Sequence, residues 1–109
     1  MYLQRNKEGY VYVAYNKGLK GLVKIGATTK DPLHRLKVIS NQSVPYPFEL
    51  LASFKSCDCL GFEQYVHQNL RHHHVAKEFF KLDKQKSVHL VEILGSTFQK
   101  KAKRVIHDQ

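Results

Sequence analysis

Six side chains in this sequence have the types and spacing to do phosphate chemistry. Tyr10 and Tyr12 stand two apart in an aromatic and β-branched run, and Lys24 follows a glycine-rich loop. Arg35 lies in a stretch of helical spacing, and Glu63 precedes His67 by one helical turn. Hydrolysing a phosphodiester requires a base to activate water, a cation to stabilise the pentavalent oxyanion, and usually a metal. The chain offers a candidate for each role. Its charge points to the same substrate class. Lys and Arg number 18 against 9 Asp and Glu, for a net charge of +9. Such an excess costs stability by self-repulsion and concentrates phosphate locally, so an anionic partner is expected, nucleic acid first. An acidic membrane surface is the second candidate by charge, but the chain carries no lipidation signal.

The elements that must position these residues are legible from periodicity and caps. Tyr10-Val11-Tyr12-Val13-Ala14-Tyr15 predicts a strand with Tyr10, Tyr12 and Ala14 on one face. Asn16 to Gly21 predicts a turn-rich loop, since its Asn and two glycines tolerate positive φ. Leu22 to Gly26 is the return strand of a hairpin. Asp31-Pro32 starts a helix, with Asp31 as N-cap and Leu33, Leu36 and Ile39 as its buried stripe. That helix ends before Val44-Pro45-Tyr46-Pro47. Phe48 to Ser56 predicts a third strand, with Phe48, Leu50, Ala52 and Phe54 on one face. Asp58 caps a second helix over about 59–72 that buries Phe62, Val66 and Leu70. Glu78 to Leu82 is a short extended piece in which Glu78-Phe79-Phe80 reads mainly as packing. Asp83 caps a last helix over about 84–105, with Val88, Val91, Leu94 and Phe98 inward. The expected fold is a small α+β domain, an antiparallel sheet of about three strands flanked by helices in the order β-β-α-β-α-(β)-α. One domain is expected over 1–109, with a core at about 9–82 and a basic C-terminal helix.

Taken in order, Gly9-Tyr10-Val11-Tyr12, Lys24-Ile25-Gly26, Arg35-Leu36, Glu63 with His67, and Glu78-Phe79-Phe80 resemble the motifs of the GIY-YIG nuclease superfamily. The nearest branch is the one typified by small phage and bacterial open-reading-frame domains and a fungal meiotically upregulated protein, which has a Lys-Ile-Gly second motif. The resemblance covers about residues 9–82. It implies that Tyr12 is the general base toward water, that Arg35 contacts the scissile phosphate, and that Glu63 holds a single divalent metal, Mg²⁺ or another such as Mn²⁺. The catalytic set is then Tyr12, Lys24, Arg35 and Glu63, with Tyr10, His34 and His67 as accessories. Lys24 departs from the superfamily's title motif, which has a second tyrosine there. An ammonium beside Tyr12 would favour the phenolate. Ile39 stands where many of those nucleases carry a histidine, and His34 projects about 100° away round the helix from Arg35.

The nucleic-acid contacts expected from charge are Lys20, Lys30, Lys37, Arg71, His72, Lys100, Lys101, Lys103 and Arg104. The implied function is a metal-dependent DNA endonuclease of low sequence specificity, or one directed by nicked or branched structure. The alternatives are a non-catalytic nucleic-acid-binding module on the same fold and a protein-interaction subunit. No apolar run approaches the ~20 residues needed to span a bilayer. The polar start from Met1 to Glu8 argues against a secretory signal, so a cytoplasmic setting is expected. Cys57 and Cys59 suit reduced thiols better than a disulfide. With His72, His73 and His74 they match no common zinc spacing.

Overall fold

The computed structural model describes residues 7–40, 44 and 46–101, with residues 99–101 described by backbone alone. The elements are β1 (Gly9–Tyr15), β2 (Leu22–Thr28), α1 (Pro32–Ser40), β3 (Glu49–Ser56), α2 (Cys59–Asn69), a 3₁₀ turn (Arg71–His73), β4 (His74–Ala76), β5 (Phe79–Lys81) and α3 (Lys84–Lys101). They make an α+β fold around one antiparallel sheet in the order β3-β1-β2-β5-β4.

Local chemistry sets most boundaries. In the β1–β2 loop the Asn16 side chain accepts from the Gly18 N–H at 2.9 Å, and Gly21 takes φ +81°. A side-chain-free residue carries that left-handed turn without steric cost. The Asp31 carboxylate accepts from Leu33 N–H, Asp58 from Gly61 N–H and Asp83 from Lys86 N–H, so each of the three helices has an aspartate at its start. An N-cap is worth ~1 kcal/mol over alanine, because it satisfies a donor the helix cannot.

The sheet has two covered faces. Val11, Val13, Val23, Ile25 and Phe80 pack with Phe62 and Val66 of α2, Leu70 at its C-terminal cap and Val91 of α3. Each of these side chains is at most 5% exposed. The expected stripes of α2 and α3 therefore point inward, with Val88, Leu94 and Phe98 packed against the same core. On the opposite face Tyr12 and Ala14 meet Leu36, with Ile39, Phe48 and Leu50 around them.

Four sequence expectations need correction. The sheet has five strands and not about three. The segment after α2 leaves the helix at Asn69, makes one 3₁₀ turn and enters β4, so His72 to His74 do not lie on an α-helix. The short extended piece, by contrast, is present as expected: it is β5, paired with both β4 and β2. Leu33 is 62% exposed, and the buried stripe of α1 is Pro32 and Leu36, with Ile39 half-buried. Lastly, the face predicted for the third strand is broken by a bulge. The β1–β3 register runs Val13↔Ala52 and then Ala14↔Leu50, so one residue is skipped. Phe48 and Leu50 consequently pack beside Tyr12, while Phe54 joins the core on the other face.

Candidate functional site

The site exists because β5 is short. It pairs with β2 only at Leu22, Val23 and Lys24. One more bond, from Ile25 N–H to the Glu78 carbonyl at 2.9 Å, closes the ladder. Past that point the outer edge of β2 has no strand beside it among the described residues. The Ile25 carbonyl would be left without a donor, at a cost of ~1–3 kcal/mol. His67 of α2 supplies one, with Nε2 at 2.8 Å from that oxygen. A carbonyl only accepts, so Nε2 carries the proton. The same nitrogen lies 3.8 Å from Glu63 Oε2, too far for a hydrogen bond. His67 also meets Phe80 edge-on at 4.9 Å between ring centroids. It is therefore a clasp between α2 and the edge of β2. Glu63, one turn earlier on α2, is carried to the same opening.

Gly26 is the floor of this notch. Its partner on β1 is Tyr12, so both share a sheet face. A Cβ at Gly26 would lie 2.6 Å from Tyr12 Oη, 2.8 Å from Tyr12 Cζ and 2.7 Å from Glu78 Oε1. The phenol and the carboxylate thus occupy the space any larger residue would fill. The β4–β5 turn delivers Glu78 to this point. Lys24 Nζ contacts Glu78 Oε1 at 2.6 Å and sits 5.5 Å from the centre of the Phe79 ring. Arg35, exposed on α1, hydrogen-bonds the Tyr12 hydroxyl. Glu63 is hydrogen-bonded to Glu78. Five segments thus meet in one cluster above Gly26: β1 and the β4–β5 turn supply the side chains that close over it, and β2, α1 and α2 supply the groups that contact those two.

The electrostatics follow from that crowding. Burial, then the Glu78 charge and the hydrogen bond to it, push the Glu63 carboxyl up from 4.5 to about 7, and Lys24 pulls it back. Two carboxyls this close share one proton more easily than they hold two charges. Burial raises the Tyr12 phenol above 10.0, and Glu78 adds to it. The Arg35 hydrogen bond and charge work the other way without overcoming burial. The expectation that Lys24 favours the Tyr12 phenolate is therefore corrected. Lys24 is engaged with Glu78, and the cation that eases ionisation of Tyr12 is Arg35.

The four residues named from sequence as a catalytic set, Tyr12, Lys24, Arg35 and Glu63, stand together. Tyr10 shares the face of Tyr12 but pairs with Thr28 and Lys55 at the far end of the strand. His34 is solvent-exposed on α1. The basic residues are dispersed. Lys20 is in the β1–β2 turn, Lys30 lies beyond the opposite end of β2, and Lys37 is in the last turn of α1. Arg71 and His72 are exposed in the 3₁₀ turn. Lys100 and Lys101 end α3 with side chains outside the described residues, and Lys103 and Arg104 lie beyond them altogether. Sequence reasoning missed Glu78, which it took for packing. Its only signal was its place at the head of Glu78-Phe79-Phe80.

A divalent cation suits the donor set. Among the described residues no three His, Cys, Asp or Glu side chains gather around one point. Mg²⁺, however, is commonly held by one or two carboxylates and keeps several waters. Glu63 and Glu78 offer two carboxyls whose repulsion a cation would relieve in place of the shared proton.

The family model described as T5orf172 domain matches residues 9–95, from β1 through most of α3. This overturns the resemblance to the GIY-YIG superfamily, because the match is to a different family. Lys24 and Ile39, where the chain departs from that superfamily's pattern, are consistent with the correction. The match fits a nucleic-acid-directed module of nuclease-like or DNA-binding character. No curated protein and no solved structure matches the chain. No helix among the described residues is long and apolar enough to cross a membrane.

Proposed function

Because the chain belongs to the T5orf172 domain family, we propose that it is a metal-dependent endonuclease acting on DNA phosphodiesters in the cytoplasm. The observation that carries the reading is one cluster: Tyr12 and Glu78 close over Gly26, Arg35 bonds Tyr12, and Lys24 and Glu63 bond Glu78. Such a mixture of an acid–base group, two cations and paired carboxylates at one half-open notch is costly to fold around, which supports a catalytic use. Glu63 and Glu78 are the residues that would hold the cation, Mg²⁺ or Mn²⁺. When bound, it would offset the negative charge that raises Tyr12 and Glu63, and it would polarise a phosphoryl oxygen.

The chain's own groups then have separable tasks. Tyr12 Oη, once its own proton has passed to solvent, takes the proton from the attacking water as the phenolate. Arg35 holds that oxygen in place and, being exposed, presents positive charge to the phosphoryl group as it gains negative charge. Lys24, 2.6 Å from Glu78 Oε1, holds that carboxylate in the notch. His67 holds α2 against β2, so that Glu63 keeps its position. The groups of the notch address the phosphodiester and not the bases, so the reading carries low sequence specificity or recognition of nicked or branched structure.

The test is cleavage of supercoiled plasmid with Mg²⁺ or Mn²⁺, comparing the protein with Glu63→Gln. Metal-dependent nicking that the variant loses is the expected result. Absence of cleavage on every DNA form, or equal cleavage by the variant, sinks the proposal. One observation favours the rival, a DNA-binding module without turnover. Without a cation Tyr12 is a neutral phenol, so the notch lacks a ready base. Salt-dependent DNA binding with no metal-dependent cleavage would select that reading.

A further inference from the structure

The turn that delivers Glu78 has an unusual member. Lys77 has φ +50°, and among the described residues it is the one non-glycine residue with positive φ. Left-handed backbone is disfavoured for a long side chain, and Gly or Asn would occupy the position more easily. The turn is nonetheless held in this state, because the His74 ring nitrogen Nε2 lies 2.8 Å from the Lys77 carbonyl and clasps it. The His74 ring in turn stands edge-on to Phe80 at 5.3 Å between centroids. A register shift between His74 and Ala76 gives the strand the bend that the turn needs.

A strained backbone that retains lysine where glycine would be easier points to a use for the ammonium. Within the described structure that ammonium has no carboxylate, ring or carbonyl partner, in contrast to Lys24, which is held by Glu78. Lys77 is exposed and precedes Glu78 in the chain. It also closes a run, Arg71 to Lys77, in which every residue is exposed and which includes Arg71, His72, His73 and His74. No acidic residue interrupts that run.

We propose that Lys77 is a substrate-binding residue that contacts a backbone phosphate next to the one held in the Gly26 notch. The inference rests on the reading that the notch takes a nucleic-acid strand. The placement suits that role: the residue that follows Lys77 carries the carboxylate that closes over Gly26, so the Lys77 backbone borders the notch with its side chain exposed. The partner is read by its phosphodiester charge and not by its bases, consistent with a single flexible ammonium on an exposed turn.

Lys77→Gly separates the role from a structural one, because it deletes the ammonium and relaxes the backbone together. Binding of a labelled DNA duplex is measured in EDTA across a salt series, beside thermal melting of the same protein. The expected result is an unchanged or higher melting temperature with weaker binding. The slope of log affinity against log salt falls by about 0.9, the value for one phosphate contact on B-DNA. Lys77→Arg keeps the slope. A Lys77→Gly protein that binds DNA with the parent's affinity and slope overturns the inference while leaving the nucleic-acid reading intact. If neither the parent nor the variant binds DNA at any salt concentration, the reading beneath it fails as well. A melting temperature that falls in Lys77→Gly would mean the side chain serves the fold, and would also overturn the inference.

Discussion

Glu63→Gln should stabilise this protein at alkaline pH while removing its proposed activity. Glu63 is half-buried, its side chain 17% exposed, and it shares a hydrogen bond with a second carboxyl. Its proton is held to about pH 7 in the folded chain, against 4.5 for the free side chain. Below about pH 4.5 both folded and unfolded chains keep the proton, and the carboxyl imposes no penalty. Between there and about pH 7 the unfolded chain releases a proton that the folded chain retains, so stability falls as pH rises. Above about pH 7 the full penalty is present. At about 1.4 kcal/mol per pH unit the interval amounts to about 3 kcal/mol. Residual solvent contact and the sharing of the effect with Glu78 bring the usable part to about 1–2 kcal/mol. Glutamine removes the charge, keeps the shape and can donate its amide to the Glu78 carboxylate. The variant should therefore exceed the parent by about 1–2 kcal/mol near pH 8, or about 5–10 °C in melting temperature for a domain of this size. Near pH 4.5 the two should coincide. The assay is thermal or urea unfolding of both proteins in EDTA at several pH values. A difference that does not change with pH, or a variant less stable at pH 8, would refute the reasoning, because it would mean that the carboxyl pair is not under electrostatic stress.

Other perturbations test the same notch from its remaining sides. Tyr12→Phe keeps the buried ring and deletes the oxygen that Arg35 holds; metal-dependent cleavage should drop by about 10²–10⁴-fold, with the circular dichroism spectrum unchanged. Gly26→Ala inserts a methyl group 2.6 Å from Tyr12 Oη; denaturant unfolding should show a loss of about 1–3 kcal/mol from overpacking, and cleavage should vanish even where the protein still folds. Lys24→Met removes the cation that counters the carboxyl pair; carbon-detected NMR titration should find the Glu63 midpoint above that of the parent, and an unchanged midpoint would free Lys24 of this role.

The helices and the first hairpin were legible because their signals are local. Asp31, Asp58 and Asp83 each cap within three residues of themselves, and the apolar spacing of α2 and α3 needs only helical geometry to reveal its inward face. The candidate site was legible as residue types in order. Its tuning was not, because the pairing of Lys24 with Glu78 spans 54 residues and no spacing rule reaches that far. The exposed Leu33 and the bulge beside Val13 were hidden for a similar reason. Which residue of a short apolar stripe is covered, and where a strand changes face, depend on the neighbour it packs against.

The hairpin of Tyr12 and Lys24, the capped helices bearing Arg35 and Glu63, and the positive charge were therefore determined by the sequence alone. Tertiary structure decided that β5 stops beside Lys24 and leaves the edge of β2 open at Gly26. That opening turns Glu78 from a packing residue into half of a carboxyl pair, assigns the tuning of Tyr12 to Arg35, and makes His67 the clasp that holds the arrangement. Electrostatics between side chains distant in sequence depend on distance and burial, and both come into being only when the chain has folded.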